Sequence, residues 1–180
     1  AGAQLVTALQ SVASRLTSPF EPVVVTLASF HSGDAFNVIP ESAELTGTVR
    51  TFSRESEARV EAQMAEIVRG VATSSGVKIE MEWRRYAGPT VNDDEIARQL
   101  ATIAADVKGI DRVLTDYRTM AGEDFGDILE AVPGCFVLLG SGPADGSPAE
   151  PHHSPRFDIE EGVLEIARDL HLAVAAGLRF

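Results

Sequence analysis

At 180 residues, with 44% hydrophobic and 23% charged side chains, the chain can bury a core, which excludes a disordered or fibrous polymer. Its 27 acidic side chains against 15 Lys and Arg give a net charge of -12, and nucleic acid is excluded as a partner because phosphate binding needs clustered cations. No apolar run approaches the roughly 20 residues that cross a bilayer, so no membrane partner is expected.

The chain opens at Ala1-Gly2-Ala3-Gln4, without Met or a charged leader, and passes at once into helical spacing at Leu5, Leu9, Val12 and Leu16. Such a start reads as that of a processed or truncated piece. The helix is predicted over 3–17, ending before Pro19. Residues 23–30 are β-branched and apolar and read as a strand. His31-Ser32-Gly33-Asp34 breaks it, and a second strand over 43–52 completes a long-looped hairpin. In that strand Leu45, Gly47, Val49 and Thr51 alternate with Glu44, Thr46, Thr48 and Arg50, which puts Arg50 on the polar face. Ser53 can cap the next helix, whose apolar side is Val60, Met64, Ile67, Val68 and Val71, and Gly76 ends it. Val77, Ile79, Met81 and Trp83 then alternate with Lys78, Glu80, Glu82 and Arg84, which predicts a half-buried strand over 77–86.

Helix, strand, strand, helix, strand is the order left when the first strand of a ferredoxin-like βαββαβ unit is removed. The lost strand is a central one, so the strands at 43–52 and 77–86 are expected not to pair with each other. Ala87-Gly88-Pro89-Thr90 marks a boundary between a first domain, 1–88, and a second, 89–180. In the second, Asn92 with Glu95 resembles a capping box opening a helix to about Lys108, with Ile96, Leu100, Ile103 and Val107 on its apolar face. Residues 113–117 read as a weak strand, 125–131 as a short helix and 136–139 as a strand buried on both sides. A Gly- and Pro-rich loop over 141–151 leads to a final helix over 160–176. Cys135 lies in an apolar run and reads as a buried, inert thiol, so a reducing, cytoplasmic setting is expected.

The chemistry-bearing residues gather late in the chain. Pro151-His152-His153-Ser154-Pro155 holds two of the four histidines on a turn stiffened from both sides. It reads either as a solvated surface loop or as a place for a metal ligand. Met120-Ala121-Gly122-Glu123-Asp124-Phe125 reads either as an acidic helix cap or as part of a site, since carboxylates favour a helix N-terminus and also serve hydrolytic centres. Gly140-Ser141-Gly142 lacks the third glycine of a phosphate-binding loop. His31 and His171 read as structural or solvated.

Taken together, residues 30–40 (Phe-His-Ser-Gly-Asp-Ala-Phe-Asn-Val-Ile-Pro), Gly47-Thr48-Val49-Arg50-Thr51-Phe52, Gly122-Glu123-Asp124-Phe125 and His152-His153-Ser154-Pro155 resemble the dinuclear metallopeptidase family of the aminoacylases and carboxypeptidase G. Within it they resemble the amidohydrolase branch, over essentially the whole chain. The resemblance implies an α+β chain, made of an incomplete ferredoxin-like lid and the C-terminal part of an α/β zinc-hydrolase catalytic domain. It implies His153 as a metal ligand with His152 beside it, Asn37 and Arg50 as substrate-binding residues, and Glu123 and Asp124 in supporting roles. An Asn amide can donate to a developing oxyanion, and an Arg fork can hold a carboxylate. The implied cofactors are divalent ions, Zn or Mn, two per site in the parent enzyme. The partners are an N-acyl amino acid substrate and a second copy bound through the lid. The family's general base and other ligands precede the lid, so no catalytic residue is expected in this chain, which alone should hold no metal and be inactive. A different class of function, a non-catalytic dimerisation or regulatory module, remains as the alternative.

Overall fold

A computed structural model describes residues 1–143 and 145–179. Its elements are α1 (Gly2–Ser11), a π-helical turn (Val12–Leu16), β1 (Val24–His31), β2 (Glu44–Arg50), α2 (Arg54–Ser75), α3 (Asp94–Ala105), α4 (Phe125–Ala131) and α5 (Val163–Gly177). Helices with a small antiparallel sheet make this an α+β chain, as the sequence predicts. Two compact units are present: Ala1–Thr90 with Thr119–Asp127, and Val91–Arg118 with the described chain from Ile128 onward.

In the first unit, Leu5, Leu9 and Val12 meet Val60, Met64 and Val68 of α2, and these six side chains form the core. The spacing of each set is helical, so one face of each helix is apolar and the two faces bury each other. Val12 and Val60 are almost wholly excluded from solvent. β1 and β2 pair antiparallel from Val24 opposite Arg50 to His31 opposite Glu44, with an irregularity between Leu27 and Ser29. Their inward side chains, among them Val25, Leu27, Leu45 and Val49, cover the helical core. Gly47 sits opposite Leu27. A β-carbon there would lie 2.2 Å from the Thr26 carbonyl oxygen, so the close approach of the strands requires glycine. Ser53 caps α2 by accepting from the Ser56 amide, and Gly76 ends it at φ 64, where a β-carbon would be strained.

Residues 77–86 correct one expectation. They pair with no strand among the described residues, where the sheet has two strands only. Ile79 and Trp83 nevertheless pack on the core, as the alternation predicts. Trp83 and Arg85 are tied to α2 through Glu57, whose carboxylate accepts from Trp83 Nε1 at 3.2 Å and Arg85 Nε at 2.8 Å. Arg54 Nη1 approaches the same carboxylate at 3.3 Å. Core packing of Ile79 and Trp83 and side-chain ties to α2 both hold this segment.

In the second unit α3 packs on α5. Ala104, Val107 and Leu170 are buried there against Leu100, Ile110, Val113, Ile166, Ala173 and Val174. The α3 cap is Asp93, not Asn92: its Oδ1 accepts from the amides of Glu95 and Ile96 at 3.0 Å. Asn92 is engaged elsewhere, donating to the Phe136 carbonyl and accepting from the Phe136 amide. The strands expected at 113–117 and 136–139 are not formed among the described residues. Val137 and Leu138 are exposed, contrary to a strand buried on both sides. No described helix is long and apolar enough to cross a membrane.

Candidate functional site

The residues singled out by sequence divide between the two units. Asn37, Arg50, Glu123 and Asp124 lie in the first, and His152 and His153 in the second.

Asn37 stands in the loop between β1 and β2, on a turn closed by the Val38 amide donating to the Ala35 carbonyl. Its neighbours Phe36 and Ile39 are almost fully exposed, so the loop presents Asn37 to solvent between two bare hydrophobic side chains. Arg50 ends β2 on the polar face. Its Nη1 donates to the Met120 carbonyl at 2.8 Å. No carboxylate lies within ion-pair distance of it among the described residues.

The Thr119–Asp127 segment is held to the first unit at several points. Gly88 N donates to Asp127 Oδ1 at 3.2 Å. A β-carbon on buried Gly126 would approach the carbonyls of Gly88 and Pro89 to 3.0 and 3.1 Å. Glu123 Oε1 accepts from the Phe125 amide at 3.1 Å, and the Asp124 carbonyl accepts from the Asp127 amide. Glu123 therefore caps the start of α4, which is the blander of the two readings of that motif. Asp124 is exposed and contributes its main chain.

The histidine turn is closed by the Ser154 amide donating to the Pro151 carbonyl, and continues with the Phe157 amide donating to Ser154 O. His153 is the one non-glycine residue with positive φ among those described, at 68°. His152 packs edge-on against Phe157, ring centroids 4.9 Å apart. Glu150 is occupied: one oxygen takes the Ser154 hydroxyl at 3.2 Å and the other Arg156 Nε at 2.9 Å. The carboxylate nearest the histidines in sequence thus serves the turn. Among the described residues no three His, Cys, Asp or Glu side chains converge as a metal-holding group. The donor set is one or two imidazoles, short of the three or four protein ligands usual for a catalytic ion, so these residues by themselves do not make up a metal centre.

Sequence reasoning missed Met120 and Gly122 as the ground beneath Arg50. Gly122 leaves a β-carbon position only 3.3 Å from Arg50 Nη1. No local pattern announces a contact between a carbonyl and a side chain 70 positions apart.

Comparison with known proteins covers nearly all of the chain. The family described as peptidase family M20/M25/M40 matches residues 3–176. An IAA-amino acid hydrolase of Arabidopsis thaliana is 31% identical over 97% of this chain and 41% of its own length. An N-acetylcysteine deacetylase of Bacillus subtilis is 35% identical over 93% of this chain and 42% of its own. An N-acetyldiaminopimelate deacetylase of Streptococcus suis is 36% identical over 94% and 44%. Among solved structures, an aminohydrolase of methicillin-resistant Staphylococcus aureus superposes with a TM-score of 0.84 at 31% identity, covering 97% of this chain and 44% of that one. A dinuclear metal-binding peptidase of the M20 family from Bacillus subtilis gives 0.77 at 30% identity, with the same coverage. The chain thus spans about two fifths of the length of these relatives, which are hydrolases by name. Matched along nearly its whole length, it belongs to peptidase family M20/M25/M40.

Proposed function

We propose that this chain is part of a metal-dependent amidohydrolase that cleaves the amide bond of N-acyl amino acids or small peptides. The observation that carries the reading is the family match over residues 3–176, with relatives named for amide-bond hydrolysis. The two metal ions of the parent enzyme, Zn or Mn, would polarise the scissile carbonyl and supply an activated water. His153 is the ligand this chain offers, with His152 beside it. A left-handed backbone at His153 supports that role, because such strain on a non-glycine residue gathers at functional positions. Arg50 binds the substrate carboxylate and Asn37 donates to the developing oxyanion. Glu123 and Asp124 hold the start of α4 beside Arg50.

The first domain is an incomplete ferredoxin-like lid through which two copies associate. The strand-like alternation of residues 77–86, which pack Ile79 and Trp83 on the core but pair with no strand among the described residues, supports a place for a further strand. The parent enzyme belongs in the cytoplasm, the setting the single thiol of Cys135 suggests.

The alternative is a non-catalytic dimerisation or regulatory module, which the same lid sheet would serve. Metal analysis and hydrolysis assays separate the two. In the full-length protein carrying this sequence, His153→Ala is expected to lower both bound divalent metal and hydrolysis of N-acetyl amino acids. The isolated 180-residue chain is expected to bind no stoichiometric metal and hydrolyse nothing. Hydrolysis by that chain alone would overturn the partial-site reading. A full-length protein without metal or activity would favour the module.

A further inference from the structure

We propose that the Met120 carbonyl and the bare α-carbon of Gly122 form a shelf that fixes the orientation of Arg50, making Gly122 a positioning residue for substrate carboxylate. The inference rests on the proposed role of Arg50 in binding that carboxylate. An arginine at the end of an exposed strand, in a chain with 27 acidic residues, would ordinarily find a carboxylate partner or wave in solvent. Here it does neither. Nη1 is tied to Met120 O at 2.8 Å, and that is its hydrogen-bond partner among the described residues. A guanidinium has five N–H donors in a rigid plane, so the bond on Nη1 restrains the fork and leaves the Nη2–Nε edge without a partner among the described residues. That edge matches the two oxygens of a carboxylate side by side.

The shelf depends on what Gly122 lacks. A β-carbon would stand 3.3 Å from Nη1, tighter than ordinary packing, and either the guanidinium or the segment would have to give. The segment is the less free to move, since Gly126 and Asp127 clamp its far end to residues 88–90. The arginine would move instead. Backbone strain does not explain the glycine, because Gly122 is not among the residues of positive φ. The 3.3 Å approach to the tip of Arg50 is the contact that a side chain there would disturb.

The test uses the full-length protein carrying this sequence, in its native form and as Gly122→Ala, Gly122→Ser and Arg50→Lys. The Arg50 guanidinium resonance, assigned by its loss in Arg50→Lys, is expected to show hindered Nη1 rotation in the native protein and free rotation in both glycine variants. In kinetics with N-acetyl amino acids, Gly122→Ala is expected to raise KM about 2- to 10-fold, the range of one lost hydrogen bond, with kcat little changed. The corresponding amino acid amides, lacking the carboxylate, should show no such rise. An unchanged Arg50 resonance in Gly122→Ala and Gly122→Ser would overturn the inference. A freed resonance with unchanged KM in both Gly122→Ala and Arg50→Lys would uphold the shelf and overturn the carboxylate role of Arg50. Equal melting temperatures for native and Gly122→Ala proteins would exclude a folding defect, and a lowered one with the resonance unchanged would count against the inference.

Discussion

Removing the Glu57 carboxylate tests whether side-chain ties help hold residues 77–86 on α2. Its side chain is only 15% exposed, and it takes Trp83 Nε1, Arg85 Nε and Arg54 Nη1 at 3.2, 2.8 and 3.3 Å. Hydrogen bonds to a charged group contribute about 1.5–3 kcal/mol each when shielded. The two arginines, however, are 51% and 39% exposed, and ion pairs open to solvent fall to about 0.2–1 kcal/mol. The half-buried indole N–H has less access to replacement water, and losing its acceptor costs about 1 kcal/mol. Glu57→Ala should therefore lower the stability of the first unit by about 2 kcal/mol, combining one indole bond with two screened pairs. Glu57→Gln keeps an oxygen for the indole and should cost about half as much. Trp83 is the single tryptophan, so urea unfolding followed by its emission reads this unit directly. A change below about 0.3 kcal/mol for Glu57→Ala, within the range of ordinary surface substitutions, would show that the network is solvated decoration and that Ile79 and Trp83 packing suffices.

Gly47→Ala places a β-carbon 2.2 Å from a backbone oxygen that cannot swing away, so the strands must separate; the expected loss is about 2 kcal/mol or more, checked by urea denaturation. Val12→Ala removes two methyl groups from a site with no solvent exposure and should cost about 2–3 kcal/mol, checked the same way. Burial pushes the Cys135 thiol above its ordinary range, because the thiolate is the form that loses hydration. Iodoacetamide at pH 8.5 should then label the folded chain more slowly than the unfolded one. The linked stability is complete below the unfolded pKa and is lost as pH rises through the higher folded value.

What could be read in the sequence was what local periodicity writes. α1, α2, α4 and α5 and the β1–β2 hairpin each carry their own pattern, and Ser53 and Gly76 mark the ends of α2 as cap chemistry requires. Residues 77–86 show where that signal stops. Alternation records which side chains face the core, and Ile79 and Trp83 do; it does not record whether a neighbouring strand is there to accept the backbone hydrogen bonds. The α3 cap slipped by one position because Asn92 and Asp93 can both cap, and the choice was made by Phe136, 44 residues away. The same holds for the site. Proline on both sides flagged the histidine turn, and an acidic cap was one of two readings of the Glu123 motif, but the positive φ of His153 and the contact between Arg50 and Met120 arise from folding around them.

The left-handed backbone of His153 also bears on how this sequence could have been shaped. An L-residue there gives up about 1–2 kcal/mol that glycine would not. Selection for folding alone would have placed glycine at this turn, and His153→Gly should raise the melting temperature. Under the role proposed above for His153, keeping an imidazole at a position that disfavours any side chain trades durability for chemistry.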